Sequence, residues 1–306
     1  MKEDTTGISE QLTKRTLSKL KIEQLEELAP QEIKNMFILS ESDLGVIRNG
    51  GRRGAAFGPK ALINTLKKMT SHRSKTNGVK SIRTHLSTGS FAEQQSGDTS
   101  SITQLIKLTN KANIWHLGGG HDHIYPLLKA VNKTDKKIIV INIDAHLDTR
   151  TDKNFHSGTP FRQFANEVDG DFKLFQLGIH DFANDLSNYE PIHHSEMEIY
   201  TVSQLRKETS NFTATHPFMD KLIEEHRDYT IILSLDCDAI SAQSMEAVSA
   251  VNHNGLELNF VRDLFSWYYS LEQRKKVCGI YEYNPIFDNL SNKGARVLAS
   301  LIEPFL

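Results

Sequence analysis

Three short stretches of the chain carry the residue types that divalent-metal chemistry needs. Gly118-Gly119-Gly120-His121-Asp122, Asp144-Ala145-His146-Leu147-Asp148 and Asp236-Cys237-Asp238 each close an apolar run, and a fourth polar cluster, Glu282-Tyr283-Asn284-Pro285, closes another. Side chains at i, i+2 and i+4 share one face of an extended chain. Asp144, His146 and Asp148 therefore converge if their stretch is extended, and so do Asp236 and Asp238; on a helix neither set would meet. Ala145, Leu147 and Cys237 fall on the opposite, packed face, which reads Cys237 as core rather than ligand. Four aspartates in one crevice would repel and raise one another's pKa values. Two divalent cations neutralise them. A set of four Asp and two His (His121, Asp144, His146, Asp148, Asp236, Asp238) is rich in hard oxygen and lacks thiolate, which favours manganese over structural zinc. Two such ions together acidify a water at neutral pH. Taken singly, the motifs have ordinary readings: Asp-x-Asp is common, Asp-Ala-His can cap a helix, and His121 can be a satisfied loop histidine. Their repetition after successive apolar runs is what points to an active site.

The elements that must position these residues alternate. Apolar runs at Met36–Leu39, Asn113–Leu117, Lys137–Ile143, Lys173–Ile179, Glu198–Val202, Thr230–Leu235 and Lys276–Tyr281 read as strands. Between them, Ile124–Val131, Phe218–His226, Leu258–Leu271 and Asn292–Ile302 read as helices. Strand–helix alternation predicts a parallel sheet covered on both faces, and a run such as Ile138-Ile139-Val140-Ile141 agrees with burial on both sides. Ligands of such sheets collect beyond the carboxyl ends of the strands, which is where the polar clusters stand. Glycines in Asn49–Pro59 predict a loop with unusual backbone angles, with Pro59 opening a helix over Lys60–Met69. Ser87–Ser101 and the basic Ser71–Arg83 read as surface loops. Residues 1–35 read as a polar helix or loose arm ahead of one domain, 36–306.

A formal charge of -2 over 306 residues lacks the basic stripe of a nucleic-acid binder. Two cysteines, Cys237 and Cys278, build neither a disulfide framework nor a metal knuckle. With a polar N-terminus and no apolar run approaching ~18 residues, neither a signal peptide nor a membrane span is expected. The expectation is a soluble cytoplasmic protein with a small-molecule substrate and neither nucleic-acid nor membrane partners.

The Gly-Gly-Gly-His-Asp, Asp-Ala-His-Leu-Asp and Ser234-Leu235-Asp236-Cys237-Asp238 motifs resemble those of the ureohydrolase (arginase/agmatinase) family, and the similarity runs from about Asn49 to the C-terminus. The resemblance implies a three-layer α/β/α fold around a parallel sheet of about eight strands, and two Mn²⁺ ions held by the six residues above, with Asp144 and Asp236 bridging. It implies that Glu282, in a Glu-x-Asn-Pro motif, holds the cationic amidinium or guanidinium, and that the protein forms trimers or hexamers. Within the family, Asn49–Pro59, Arg150 after Asp148-Thr149, Ser157-Gly158-Thr159-Pro160-Phe161, and Asn284-Pro285 with Asp288 are similar to the formimidoylglutamase group. That group hydrolyses N-formimino-L-glutamate to L-glutamate and formamide in histidine degradation. Asp148 is then the expected proton carrier. His156 stands one residue before the position, here Ser157, that holds histidine in arginases and agmatinases. Arg53, Arg150 and Arg162, with Asn49, are the candidates for binding the substrate carboxylates. Two loops depart from the family pattern, Met245–Val251 and His180-Asp181-Phe182. The alternatives are a guanidino-substrate hydrolase of the agmatinase kind, releasing urea, and a metal-binding relative without catalysis.

Overall fold

A computed structural model of the chain describes residues 18–20, 33–69, 79–84, 89–109, 111–193, 195–273 and 275–306. Nine strands among these form one sheet in which every pairing is parallel: β1 (Ser18–Leu20), β2 (Asn35–Ser40), β3 (Val79–Arg83), β4 (Asn113–Gly118), β5 (Lys137–Ile143), β6 (Asp171–Ile179), β7 (Ser195–Thr201), β8 (Thr230–Asp236) and β9 (Val277–Tyr281). Their spatial order is β1-β3-β2-β4-β9-β8-β5-β6-β7. The strands that precede the four polar clusters, β4, β9, β8 and β5, are therefore consecutive neighbours at the centre of the sheet.

The period-2 alternation of side chains splits the core in two. Phe37, Trp115, Ile139, Ile141 and Leu233 face one side, where helices Gly58–Lys68, Val202–Glu208, Thr215–Leu222, Leu258–Ser270 and Lys293–Ile302 pack. Met36, Ile38, Ile114, Ile138 and Val140 face the other, covered by helices Phe91–Leu108, Ile124–Asn132 and Pro160–Ala165. With both faces shielded, the central strands such as β5 and β8 are almost wholly buried, as parallel sheets require, while the edge strand β7 is half exposed. The result is the expected three-layer α/β/α arrangement.

Two stretches read as loops are not. Phe91–Leu108 is a helix opened by a capping box: Ser90 accepts from the Glu93 backbone N–H, and Glu93 accepts from that of Ser90. Its polar first half hid the buried Ile102, Leu105 and Ile106 that anchor its second half. Val79–Arg83, within the basic segment, is a strand whose Ile82 is buried, while 71–78 lie outside the described residues. Ser18–Leu20 is a strand inside the segment expected as helix or arm; the rest of 1–32 lies outside the described residues.

Candidate metal centre and cleft

His121 leaves β4 through Gly118-Gly119-Gly120 and opens a 3-10 turn, His121–His123. Gly119 has a packing reason: a Cβ there would lie 1.9 Å from the Ser42 carbonyl oxygen. Asp144 follows the last residue of β5, Asp236 ends β8, and Glu282 follows the last residue of β9. The aspartates and histidines do meet, but not along an extended chain. The stretch after Ile143 turns, with Asp148 in the left-handed region (φ 53°), and Cys237–Ala239 is a 3-10 turn. Each turn is held by its own acid: Asp144 Oδ1 accepts from the His146 backbone N–H (2.8 Å) and Asp236 Oδ1 from that of Asp238 (3.0 Å). Ala145, Leu147 and Cys237 are buried on the packed side.

Two groups of candidate ligands result among the described residues, one of His121, Asp144, Asp148 and Asp236, the other of Asp144, His146 and Asp238. Asp144 belongs to both; Asp236, expected as a second bridge, belongs to the first alone. His121 Nδ1 lies 3.0 Å from Asp144 Oδ2, 2.8 Å from Asp148 Oδ2 and 3.3 Å from Asp236 Oδ2. His146 Nδ1 lies 3.1 Å from Asp238 Oδ2 and 3.7 Å from Asp144 Oδ1. The opposite nitrogen of His121, Nε2, is 2.9 Å from the buried Ser234 hydroxyl, and its ring stacks on Tyr281.

This arrangement fits cations and is poorly served without them. With Nε2 donating to Ser234, His121 Nδ1 presents a lone pair to three carboxylate oxygens. That nitrogen has no hydrogen-bond partner, although it is buried, and neither has Asp238 Oδ1. A single proton on Nδ1 could serve only one of three acids. Burial, with neighbouring carboxylates adding to it, pushes Asp148 up to about 6 and raises Asp236 and Asp238. Glu282 is pushed up to about 8, chiefly by burial. Cations relieve each of these penalties.

The centre floors a cleft of about 530 Å³, lined by His146, Asp148, Asp236, Asp238 and Glu282 below and by Asn49, Arg150, Ser157, Asn184 and Asp185 around its walls. Glu282 is in the left-handed region (φ 64°), and its Oε1 accepts from the His121 backbone N–H (3.1 Å). Arg150 Nη1 donates to Asn49 Oδ1 (2.7 Å), its Nε meets Asp152 Oδ2 (2.6 Å), and Asn49 in turn donates to Ser157 Oγ. Of the residues expected to act in catalysis or substrate binding, three do not line the cleft. Both ring nitrogens of His156 are engaged within its own loop, Nε2 with Asp152 Oδ2 and Nδ1 with the Gly158 N–H. Arg162 spends its guanidinium on the carbonyls of Thr149, Glu190 and Pro191. Arg53 is exposed, and its carbonyl accepts from Asn284. Asn184 and Asp185, absent from the sequence reading, do line it; nothing in their short polar loop marks them in advance.

Comparison with known proteins agrees with this geometry. The arginase family profile matches residues 42–306. The chain belongs to the arginase family. The formimidoylglutamase of Klebsiella pneumoniae is 30% identical over 292 residues, covering 92% of this chain and 88% of that protein. The fold of formimidoylglutamase from Bacillus subtilis superposes with a TM-score of 0.78 at 20% identity, over 93% of this chain and 88% of the other. Formiminoglutamase from Trypanosoma cruzi, solved with two Mn²⁺, gives 0.74 at 22% identity, over 94% and 97%. This arginase-family chain is thus a hydrolase, and the strands bearing its motifs stand at the middle of the family's sheet. No helix of the described residues is long and apolar enough to cross a membrane.

Proposed function

We propose that the chain hydrolyses N-formimino-L-glutamate to L-glutamate and formamide at a pair of Mn²⁺ ions. The observation that carries the proposal is one buried acid, Asp144, shared by two ligand groups on the floor of a cleft that also presents Glu282 and Arg150. His121, Asp144, Asp148 and Asp236 would hold one ion, and Asp144, His146 and Asp238 the other. Two such ions supply concentrated positive charge that acidifies a water and polarises the amidine carbon. Glu282, fixed by the His121 N–H, would orient the cationic amidine with its free oxygen. Asp148, which lines the cleft, would carry the proton to the leaving nitrogen. Arg150, braced by Asn49 and Asp152, offers a fork to a substrate carboxylate. His156, Arg53 and Arg162 have no part in this scheme.

The same proposal includes one catalytic unit over 36–306 behind an N-terminal arm, a cytoplasmic site of action in keeping with two buried free thiols, and a trimeric or hexameric assembly that rests on the family resemblance. The test is a substrate panel on the Mn²⁺-loaded protein, scoring formamide, urea and ammonia separately. Formamide from formiminoglutamate is expected; urea from agmatine or a guanidino acid, with no formamide, refutes the substrate assignment.

A further inference from the structure

Among the residues lining the cleft, Asn184 is bonded in a way that substrate contact does not explain. It lies in the loop between β6 and β7, yet its amide is committed to the turn that carries His146. Its Oδ1 accepts from the Leu147 backbone N–H (2.9 Å), and its Nδ2 donates to the Ala145 carbonyl (3.1 Å) and to the His180 carbonyl (2.9 Å). Ala145 and Leu147 are the two residues that flank His146. One side chain therefore brackets one ligand on both sides.

His146 is the candidate ligand that most needs such a bracket. Its side chain is a third exposed, whereas that of His121 is almost fully buried, stacked on Tyr281 and bonded to Ser234. The backbone of the 145–148 turn belongs to no strand or helix, and it includes a left-handed residue. Besides Asp144 Oδ1 on the His146 N–H and the Phe161 N–H on the Asp148 carbonyl, this turn is tied by the Gln176 amide on the Leu147 carbonyl and the His180 backbone N–H on the Ala145 carbonyl. None of these satisfies the Leu147 N–H. Leu147 itself is fully buried, so an unsatisfied N–H there invites the turn to move.

We infer that Asn184 is a positioning residue that sets His146 for the second ion. This rests on the two-ion reading of the centre. Partners that orient metal ligands typically change metal affinity 10- to 100-fold when removed. The two sites should respond unequally, because no bond from Asn184 reaches His121, Asp148 or Asp236.

The experiment is a Mn²⁺ titration of chelator-treated full-length protein by calorimetry, with ion stoichiometry and the thermal midpoint of the chelated protein measured in parallel. Asn184→Ala is expected to weaken one of two ions by roughly 10- to 100-fold and leave the other unchanged. Asn184→Ser, whose single hydroxyl cannot span three partners, should match it and guards against a poorly folding alanine variant. Leu186→Ala serves as control: it sits in the same loop, highly exposed, and lines no part of the cleft. It should bind both ions as the wild type does. Equal affinities in all proteins, or a loss shared by both ions and accompanied by a lower midpoint, overturns the inference while leaving the two-ion reading intact. A wild type that takes up fewer than two ions overturns both.

Discussion

Replacing Ser234 with alanine tests the metal centre from the side opposite Asn184. The Ser234 hydroxyl is fully buried and sits 2.9 Å from His121 Nε2. An ion among Asp144, Asp148 and Asp236 needs the Nδ1 lone pair, which leaves the ring proton on Nε2, where the Ser234 hydroxyl can accept it. Without that hydroxyl, Nε2–H is buried with no acceptor, which costs about 1–3 kcal/mol. The ring escapes that cost by moving its proton to Nδ1, where the three carboxylates welcome it. Nδ1 then has no lone pair for a cation. The ion must reverse this tautomer before it binds, so the same roughly 1–3 kcal/mol is taken from its affinity, a factor of about 5 to 150. Ser234→Ala should therefore weaken the ion of the His121 group by that factor and spare the ion of the His146 group, read in the same calorimetric titration. The removed hydroxyl is small, so the sheet should tolerate the change with a modest drop in thermal midpoint. Unchanged affinity at both ions would show that the hydroxyl does not set the tautomer. Equal loss at both would mean that the two groups do not act as separate sites.

Three further outcomes are expected. Burial raises the Glu282 carboxyl to about 8, so in the chelated protein stability from its proton is full below about 4.5 and disappears as pH rises through about 8; midpoints measured from pH 5 to 8 should fall more steeply in wild type than in Glu282→Gln, by up to about 1.4 kcal/mol per pH unit for one proton, and parallel curves would remove that proton from Glu282. Arg150→Ala should raise KM for formiminoglutamate roughly 10-fold, a value discounted for the exposure of this side chain, and change kcat little; an unaltered KM refutes the carboxylate role. Ser90→Ala removes the hydroxyl half of the helix cap, leaving Glu93 on the backbone N–H of residue 90, and should lower the thermal midpoint by about 2–4 °C without altering Mn²⁺ stoichiometry, whereas an unchanged midpoint would mean that the hydroxyl contributes nothing measurable.

The parts of this molecule that were legible in sequence are those that a single physical rule fixes. Continuous apolar runs announced the central strands, and polar clusters at their ends announced the centre, because a parallel sheet buried on both faces leaves only its strand ends for chemistry. The misreadings have equally definite causes. The Phe91–Leu108 helix begins with nine residues that lack a strong apolar period, and its start is encoded in Ser90 and Glu93 rather than in hydrophobic spacing. Arg53 and Arg162 stand in loops near the motifs, and His156 one residue before a family histidine position, but such placement does not say where a side chain turns. The guanidinium of Arg162 and the ring of His156 are occupied by the loops that carry them. Asn184 was invisible because its role depends on a loop 37 residues from Leu147 folding back beside it.

The extended-chain argument named residues that the structure brings together, but by an incomplete route, and the difference has consequences for stability. Asp148 and Glu282 both adopt positive φ, 53° and 64°, where an L-residue is disfavoured by roughly 1–2 kcal/mol. At an ordinary buried position, glycine is less stable than alanine by roughly 0.5–1 kcal/mol, since its unfolded chain has more freedom to lose. At 282 the strain falls on alanine and not on glycine, so the order should narrow or reverse. Glu282→Gly is therefore expected to melt at or above Glu282→Ala, though both lose the same carboxylate and the same bond to the His121 N–H. Alanine melting higher by the usual margin would mean that the backbone relaxes out of the left-handed region once the side chain is gone. In that case Glu282 is held in place by its own carboxylate, through His121, and not by the end of β9.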